Sequence, residues 1–251
     1  MRVGLISDIH GNRLALDAVV AELEKEDLDQ IICLGDVAVG PQPGEALAGI
    51  RELGCLTVMG NWDACFLEGM PEAKDEVGQK LVDTGEWWAQ FLSDEDREFM
   101  RGFSPTIAID LDGLDALFFH GSPYSYDDWI FSTTPDDALR AMLDGHSESA
   151  LVGGHTHLQL VRRFEKSILV NPGSVGLPFV EWWPRPVRIA PWAEYGILSS
   201  RDGRLEVELR RTTFDVEKFL RLSRSSGMPH ADWWADCWER PAAPRASSST
   251  R

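Results

Sequence analysis

Val3-Gly4-Leu5-Ile6-Ser7-Asp8-Ile9-His10-Gly11-Asn12 is the stretch that decides the fold. Residues 3–7 make an apolar run of buried-strand length that ends on Asp8. Beyond Asn12 the period changes, and Leu14, Leu16, Ala18, Val19 and Leu23 follow helical spacing. The stretch reads strand, loop, helix, with an Asp and a His delivered at the strand's carboxyl end. The unit then repeats. Residues 30–34 read as a strand ending on Gly35-Asp36, 43–53 as a helix opened by Pro43, and 55–59 as a strand opening into a loop at Gly60-Asn61-Trp62-Asp63. Alternating strands and helices argue for a parallel sheet, and open α/β sheets take ligands at the carboxyl ends of their strands.

Farther along, residues 71–101 are charged and helix-like, with Leu81, Trp87, Trp88, Phe91 and Leu92 as the apolar face of a cap or flank. Residues 106–111 and 115–119 suggest a hairpin around Asp112-Gly113 that runs into His120-Gly121-Ser122-Pro123. After a helix-like stretch at 135–143, short strands are expected at 150–152, 158–164, 167–170, 195–199 and 205–210, in a mixed or antiparallel sheet. Residues 177–192 are rich in proline and tryptophan and read as an irregular loop. One domain is expected over 1–240, with Trp233, Trp234 and Trp238 docked on it and 241–251 as a flexible tail.

The totals narrow the function classes. With 251 residues, 43% of them hydrophobic, the chain can bury a full core. Its 24 basic and 41 acidic residues leave a formal charge of -17, which gives no footprint for duplex nucleic acid or an anionic membrane. No run approaches the roughly 20 apolar residues of a membrane span, and no cleavable apolar leader stands at the start, so the cytoplasm is the expected location. Cys33, Cys55, Cys65 and Cys237 lack metal or redox spacing and read as reduced, structural thiols. An anionic substrate would require a local source of positive charge.

Asp8-Ile9-His10, Gly35-Asp36, Gly60-Asn61, His120-Gly121 and Gly154-His155-Thr156-His157 each close a strand-like run. Singly these are weak signals, because an Asp at a strand end is usually a turn former and a lone His usually a satisfied polar residue. Together they send seven oxygen and nitrogen donors towards one sheet edge. Alternate residues of an extended chain point the same way, so Asp8 with His10, and His155 with His157, would each face one ion. Seven donors exceed the needs of one ion and fit a two-metal site of the kind that clamps both oxygens of a phosphoryl displacement.

The order Asp-x-His, Gly-Asp, Gly-Asn, Gly-His-x-His resembles the calcineurin-like metallophosphoesterase superfamily, and within it the small prokaryotic YfcE-type phosphodiesterases. Gly40-Pro41, His120-Gly121-Ser122-Pro123 and Asn171-Pro172-Gly173-Ser174 add to the likeness, which runs from Arg2 to about Arg210. It implies a four-layer α/β/β/α sandwich of two mixed sheets. One metal would take Asp8, His10, Asp36 and His157, the other Asp36, Asn61, His120 and His155, with Asp36 bridging. It also implies phosphodiester hydrolysis by in-line attack of a hydroxide between the metals, with Asp36, Asn61 and His120 at the reaction centre and a small phosphoester as substrate. Mn²⁺ is the ion expected first, and Fe²⁺, Zn²⁺ or Ni²⁺ suit the same ligands. Alternatives are a phosphomonoesterase or protein phosphatase, and a weakly active metal-binding scaffold for protein interaction.

The third motif departs from the pattern of many relatives, which carry His where Trp62 stands, a residue taken to protonate the leaving oxygen or to stabilise the transition state. Asp63 then loses the partner it would orient and is left to cap or turn the chain. Asn12, Asn61 and Trp62 are candidate substrate contacts, although Asn12 serves equally as a helix N-cap. Asn171 and Ser174 either line the site or close a turn, and Trp129, Trp182 or Trp183 offer a stacking wall.

Overall fold

Alternation along β1 (Arg2–Ile6) sets the layering. Val3 and Leu5 face one apolar cluster and Ile6 the other, so both faces of this strand are covered. After β1 come α1 (Arg13–Leu23), β2 (Gln30–Cys33), α2 (Pro43–Leu53), β3 (Leu56–Thr57), α3 (Asn61–Glu68), α4 (Glu76–Ala89) and α5 (Asp94–Arg101). Next are β4 (Ile107–Asp110), β5 (Asp115–Phe118), α6 (Asp136–Met142), β6 (Ala150–Val152), β7 (Gln159–Phe164) and β8 (Ser167–Pro172). Last are β9 (Phe179–Glu181), β10 (Arg188–Ile189), β11 (Ala193–Arg201), β12 (Arg204–Thr212), α7 (Val216–Ser225) and α8 (Ala231–Asp236). The computed structural model describes residues 1–181 and 185–239.

One sheet has the order β12-β11-β1-β2-β3 and the other β4-β5-β6-β8-β7. Each has three parallel strands with antiparallel neighbours, as the mixed pattern implied: β1, β2 and β3 in the first, β5, β6 and β8 in the second. Val3, Leu5 and Ile32 of the first sheet, with Leu34 just past β2, meet Phe118, Val152 and Val170 of the second in one buried cluster. On the outer faces, Leu16, Leu47 and Phe219 of α1, α2 and α7 cover the first sheet, and Leu139 of α6 covers Leu117, Leu151 and Leu169 of the second. The layers are therefore helix, sheet, sheet, helix, the expected four-layer sandwich. Among the described residues no helix is long and apolar enough to cross a membrane.

Two local readings differ from the structure. Gly60-Asn61-Trp62-Asp63 opens α3 rather than a loop, because Asp63 in the first turn accepts the Gly60 N–H at 3.2 Å and caps the helix. Within 177–192 the chain is not irregular throughout, since β9 and β10 pair as an antiparallel ribbon. Trp182, Trp183, Pro184 and the expected tail at 241–251 lie outside the described residues. Beyond β12 the chain forms α7 and α8, and Trp234 of α8 meets Trp88 of α4 edge-on with centroids 5.5 Å apart.

Candidate metal centre

The candidate ligands stand just beyond strand ends, and their backbone is set before any side chain is considered. Asp8, His10, Asp36, His155 and His157 have φ of 53°, 49°, 54°, 66° and 58°. Non-glycine residues rarely occupy this left-handed region, and its appearance in clusters accompanies functional sites. Neighbouring loops hold it: Asp8 N–H donates to Gly35 O at 2.9 Å, His10 N–H to Asp36 O at 3.0 Å and Gly11 N–H to Val37 O at 2.9 Å. Gly60 must lack a side chain, because a Cβ there would overlap Asp36.

These turns correct the pairing expected from extended geometry. Asp8, His10 and His157 form one group and Asp36, His120 and His155 another, with the ligand atoms in each within 4.8 Å of one another. His155 and His157 thus separate, because neither is extended and each turns its ring a different way. Asp36 Oδ2 lies between the groups, 3.7 Å from His10 Nε2 and 3.6 Å from His120 Nε2. Asn61 Oδ1 approaches His120 Nε2 at 3.1 Å and so joins the second group.

In each carboxylate one oxygen is held and the other directed at imidazoles. Asp8 Oδ2 accepts from Ser7 Oγ at 2.5 Å and His155 N–H at 3.1 Å, while Oδ1 faces His157 Nε2 at 3.3 Å. Asp36 Oδ1 accepts the Trp62 N–H at 2.9 Å. His120 Nδ1–H donates to Leu34 O at 2.6 Å and His157 Nδ1–H to Leu177 O at 2.7 Å, which leaves both Nε2 atoms for a ligand.

The residues fit divalent cations. Asp8 Oδ1 and His155 Nε2 are buried without a hydrogen-bond partner, and His10 Nε2 and His157 Nε2 face each other at 3.0 Å. Buried polar atoms seldom lack partners, and two facing imidazole nitrogens call for a proton or a cation between them. Imidazole and carboxylate donors with no thiolate suit Mn²⁺, Fe²⁺, Zn²⁺ and Ni²⁺ alike.

The sequence pattern of the calcineurin-like phosphoesterase superfamily domain matches residues 1–184. The chain belongs to this superfamily. It is 28% identical over 228 residues to the uncharacterized protein MJ0912 of Methanocaldococcus jannaschii, covering 86% of this chain and 89% of that one. The fold is shared with a metallophosphoesterase of Sphaerobacter thermophilus, at 24% identity and a TM-score of 0.72 over 92% of this chain and 96% of that one. It is also shared with hypothetical protein PH1004 of Pyrococcus horikoshii OT3, at 21% identity and a TM-score of 0.76 over 93% and 97%.

As in a superfamily domain that binds divalent metals, the centre is strongly polarised. Burial opposes charge on Asp8, yet His157 and His10 hold it well below the usual carboxylate range. Burial likewise opposes charge on His120, but Asp36 and Asp8 raise it to about 9. Burial and the charge of His120 lower His155 to about 4. Asp63 is fully buried; burial and Asp36 push it up to about 7, while N–H groups of Val37 and Gly60 pull the other way. Its Oδ2 accepts the Asp36 N–H at 2.8 Å and its Oδ1 the Val37 N–H at 3.0 Å, so it shapes the loop that presents Asp36. Spacing from Asp36 gave no hint of that role.

The other candidates fall outside the ligand groups. Asn12 is fully buried, caps Ala15 N–H through Oδ1 at 3.0 Å and donates to Gly176 O at 3.3 Å, which makes it the N-cap of α1. Asn171 donates to Gly154 O at 2.6 Å, and Ser174 donates to Asp8 O and accepts from Leu177 N–H, both at 2.7 Å. Both stand behind the ligands and brace them. Trp62 lines the cavity above the centre, its ring against Gly85 of α4. Trp129 meets His155 edge-on at 5.2 Å, and Phe179, which was not expected at the site, stacks on His157 at 4.3 Å.

Proposed function

We propose that this chain hydrolyses phosphodiesters at a two-metal centre, in the manner of the YfcE-type enzymes of its superfamily. Asp8, His10, Asp36 and His157 would hold one ion and Asp36, Asn61, His120 and His155 the other, with Mn²⁺ the first ion to test. The observation that carries the reading is the pair of ligand groups meeting at Asp36, with Asp8 Oδ1 and His155 Nε2 buried without a hydrogen-bond partner. Ions bound there would neutralise phosphate charge and lower the pKa of water. They would also supply the local positive charge that an acidic chain needs to attract an anion.

Around that centre the chain's own groups set the chemistry. Among the described residues lining the adjoining cavity there is no Lys or Arg, which favours a monoanionic diester over a dianionic monoester. Trp62 occupies the position of the usual proton donor, and its indole N–H does not titrate near neutrality. A positioned general acid contributes about 10²- to 10⁴-fold, so esters with acidic leaving groups should be favoured. The test is elemental analysis followed by hydrolysis of bis-(nitrophenyl) phosphate beside the monoester, with added Mn²⁺. Bound metal with a clear preference for the diester is expected; bound metal with no ester hydrolysed overturns the proposal.

A further inference from the structure

The candidate ligands open into a cavity rather than directly onto the surface. His10, Asp36, Asn61, His155 and His157 form one end of a space of about 240 Å³. Its other walls come from three separate parts of the chain: Leu81 and Trp88 of α4, Phe179 and Ile189 of the ribbon, and Trp233 and Trp234 of α8. Val77 and Trp129 also line it, are 49% and 43% exposed, and mark where it reaches solvent.

The walls are apolar to an unusual degree for a site that receives an anion. Apart from the candidate ligands, the described lining residues offer no hydroxyl, amide or charged side chain. The Cys237 thiol is already directed at Trp233 O, 3.4 Å away. The polar groups left on the wall are indole N–H groups, of which those of Trp88 and Trp234 are buried without a partner. They donate and cannot accept, and none is charged, so a sugar's hydroxyl protons or a second phosphate's charge placed here would lose water without compensation. An aryl group would instead meet a wall of indoles with its faces and edges.

We propose that the phosphoester accepted by this centre carries a bulky uncharged apolar group, of one- or two-ring aryl size, which lies in this cavity. The assignment rests on the phosphoesterase reading, but the cavity can be tested apart from it. Burying about 100 Å² of apolar surface at about 25 cal/mol per Å² corresponds to roughly 70-fold tighter binding.

Two measurements decide it. The first compares methylphosphonate with 1-naphthylmethylphosphonate on the Mn²⁺-loaded chain by calorimetry. The second follows tryptophan fluorescence as neutral 2-naphthol is added to the metal-free chain. The naphthyl compound should bind roughly 70-fold tighter than the methyl compound, and naphthol should quench saturably. Leu81→Trp, which fills the cavity, should bring the ratio below about tenfold. Val77→Trp, at an exposed position that tolerates substitution, should lower it in the same direction by closing the mouth. A wild-type ratio under about fivefold, within the range of a weakly buried group, or a ratio unmoved by both substitutions, overturns the assignment. Ester hydrolysis without naphthol binding overturns the cavity assignment alone. Naphthol binding with no ester hydrolysed overturns the phosphoesterase reading, and the ester assignment with it.

Discussion

Replacing Ser174 with alanine should damage one ligand group and spare the other. Ser174 is fully buried, and its Oγ donates to Asp8 O and accepts the Leu177 N–H, each at 2.7 Å. Leu177 O in turn accepts from His157 Nδ1. One hydroxyl therefore links two residues of the first group and touches nothing in the second. Asp8 O keeps the Gly176 N–H as a partner at 2.9 Å, so the main loss is an unpaired Leu177 N–H. Such a buried donor costs about 1–3 kcal/mol and the lost bond to Asp8 O about 1 kcal/mol more. At about 2–4 °C per kcal/mol for a chain of this size, the metal-free protein should melt about 4–15 °C lower. Groups that orient ligands typically matter about 10- to 100-fold in metal affinity. Calorimetric titration with Mn²⁺ should thus show one binding step weakened by that factor and one unchanged. A melting temperature within about 1 °C of wild type, or two steps weakened equally, would refute the reasoning.

Two further outcomes follow from the site. Trp62→His should raise turnover of alkyl phosphodiesters relative to nitrophenyl ones, by up to about 100-fold if the imidazole takes the general-acid role; an unchanged ratio removes that role from this position. The same substitution withdraws an indole from Gly85 and should cost about 2–4 kcal/mol by thermal unfolding. As for pH, His120 raised to about 9 is charged in the metal-free chain at pH 7 and must lose its proton to bind a cation. Its contribution to the metal-free fold is complete below its ordinary value and is lost as pH climbs through about 9. Metal affinity should rise about tenfold per pH unit between 7 and 9, with proton release detected in buffers of different ionisation enthalpy; a flat profile contradicts the ligand role.

Much of the frame was legible because period and punctuation agree. The switch from a strand run to helical spacing after Asn12, the proline at Pro43 and the Asp112-Gly113 turn, with φ of 54° and 88°, each have a local cause. The donors were legible as a set, since strand ends in such sheets converge. Their partition was legible only through the family resemblance, whose two ligand sets agree with the groups observed. Extended geometry paired His155 with His157, and the left-handed backbone that separates them depends on tertiary folding that no local pattern encodes. Asp63 was read as a cap, which it is, but its second role was missed for a related reason: its other partners lie at Asp36 and Val37, joined to it only by tertiary folding. The apolar chamber was hidden too, since α4, the ribbon and α8 are far apart in sequence, and only the tryptophan content of those segments hinted at a shared wall.

The left-handed turns under five of the candidate ligands bear on kinetics. Residues so placed cost about 1–2 kcal/mol each in backbone energy, and the fold supplies that before an ion arrives. With the backbone of these five ligands already set, ordering of their turns subtracts little from a cation's affinity. The time an ion spends in such a cradle is governed by the breaking of its bonds to imidazole and carboxylate and by its rehydration, not by unfolding of the chain. A chelator should therefore strip the metal while the protein stays folded.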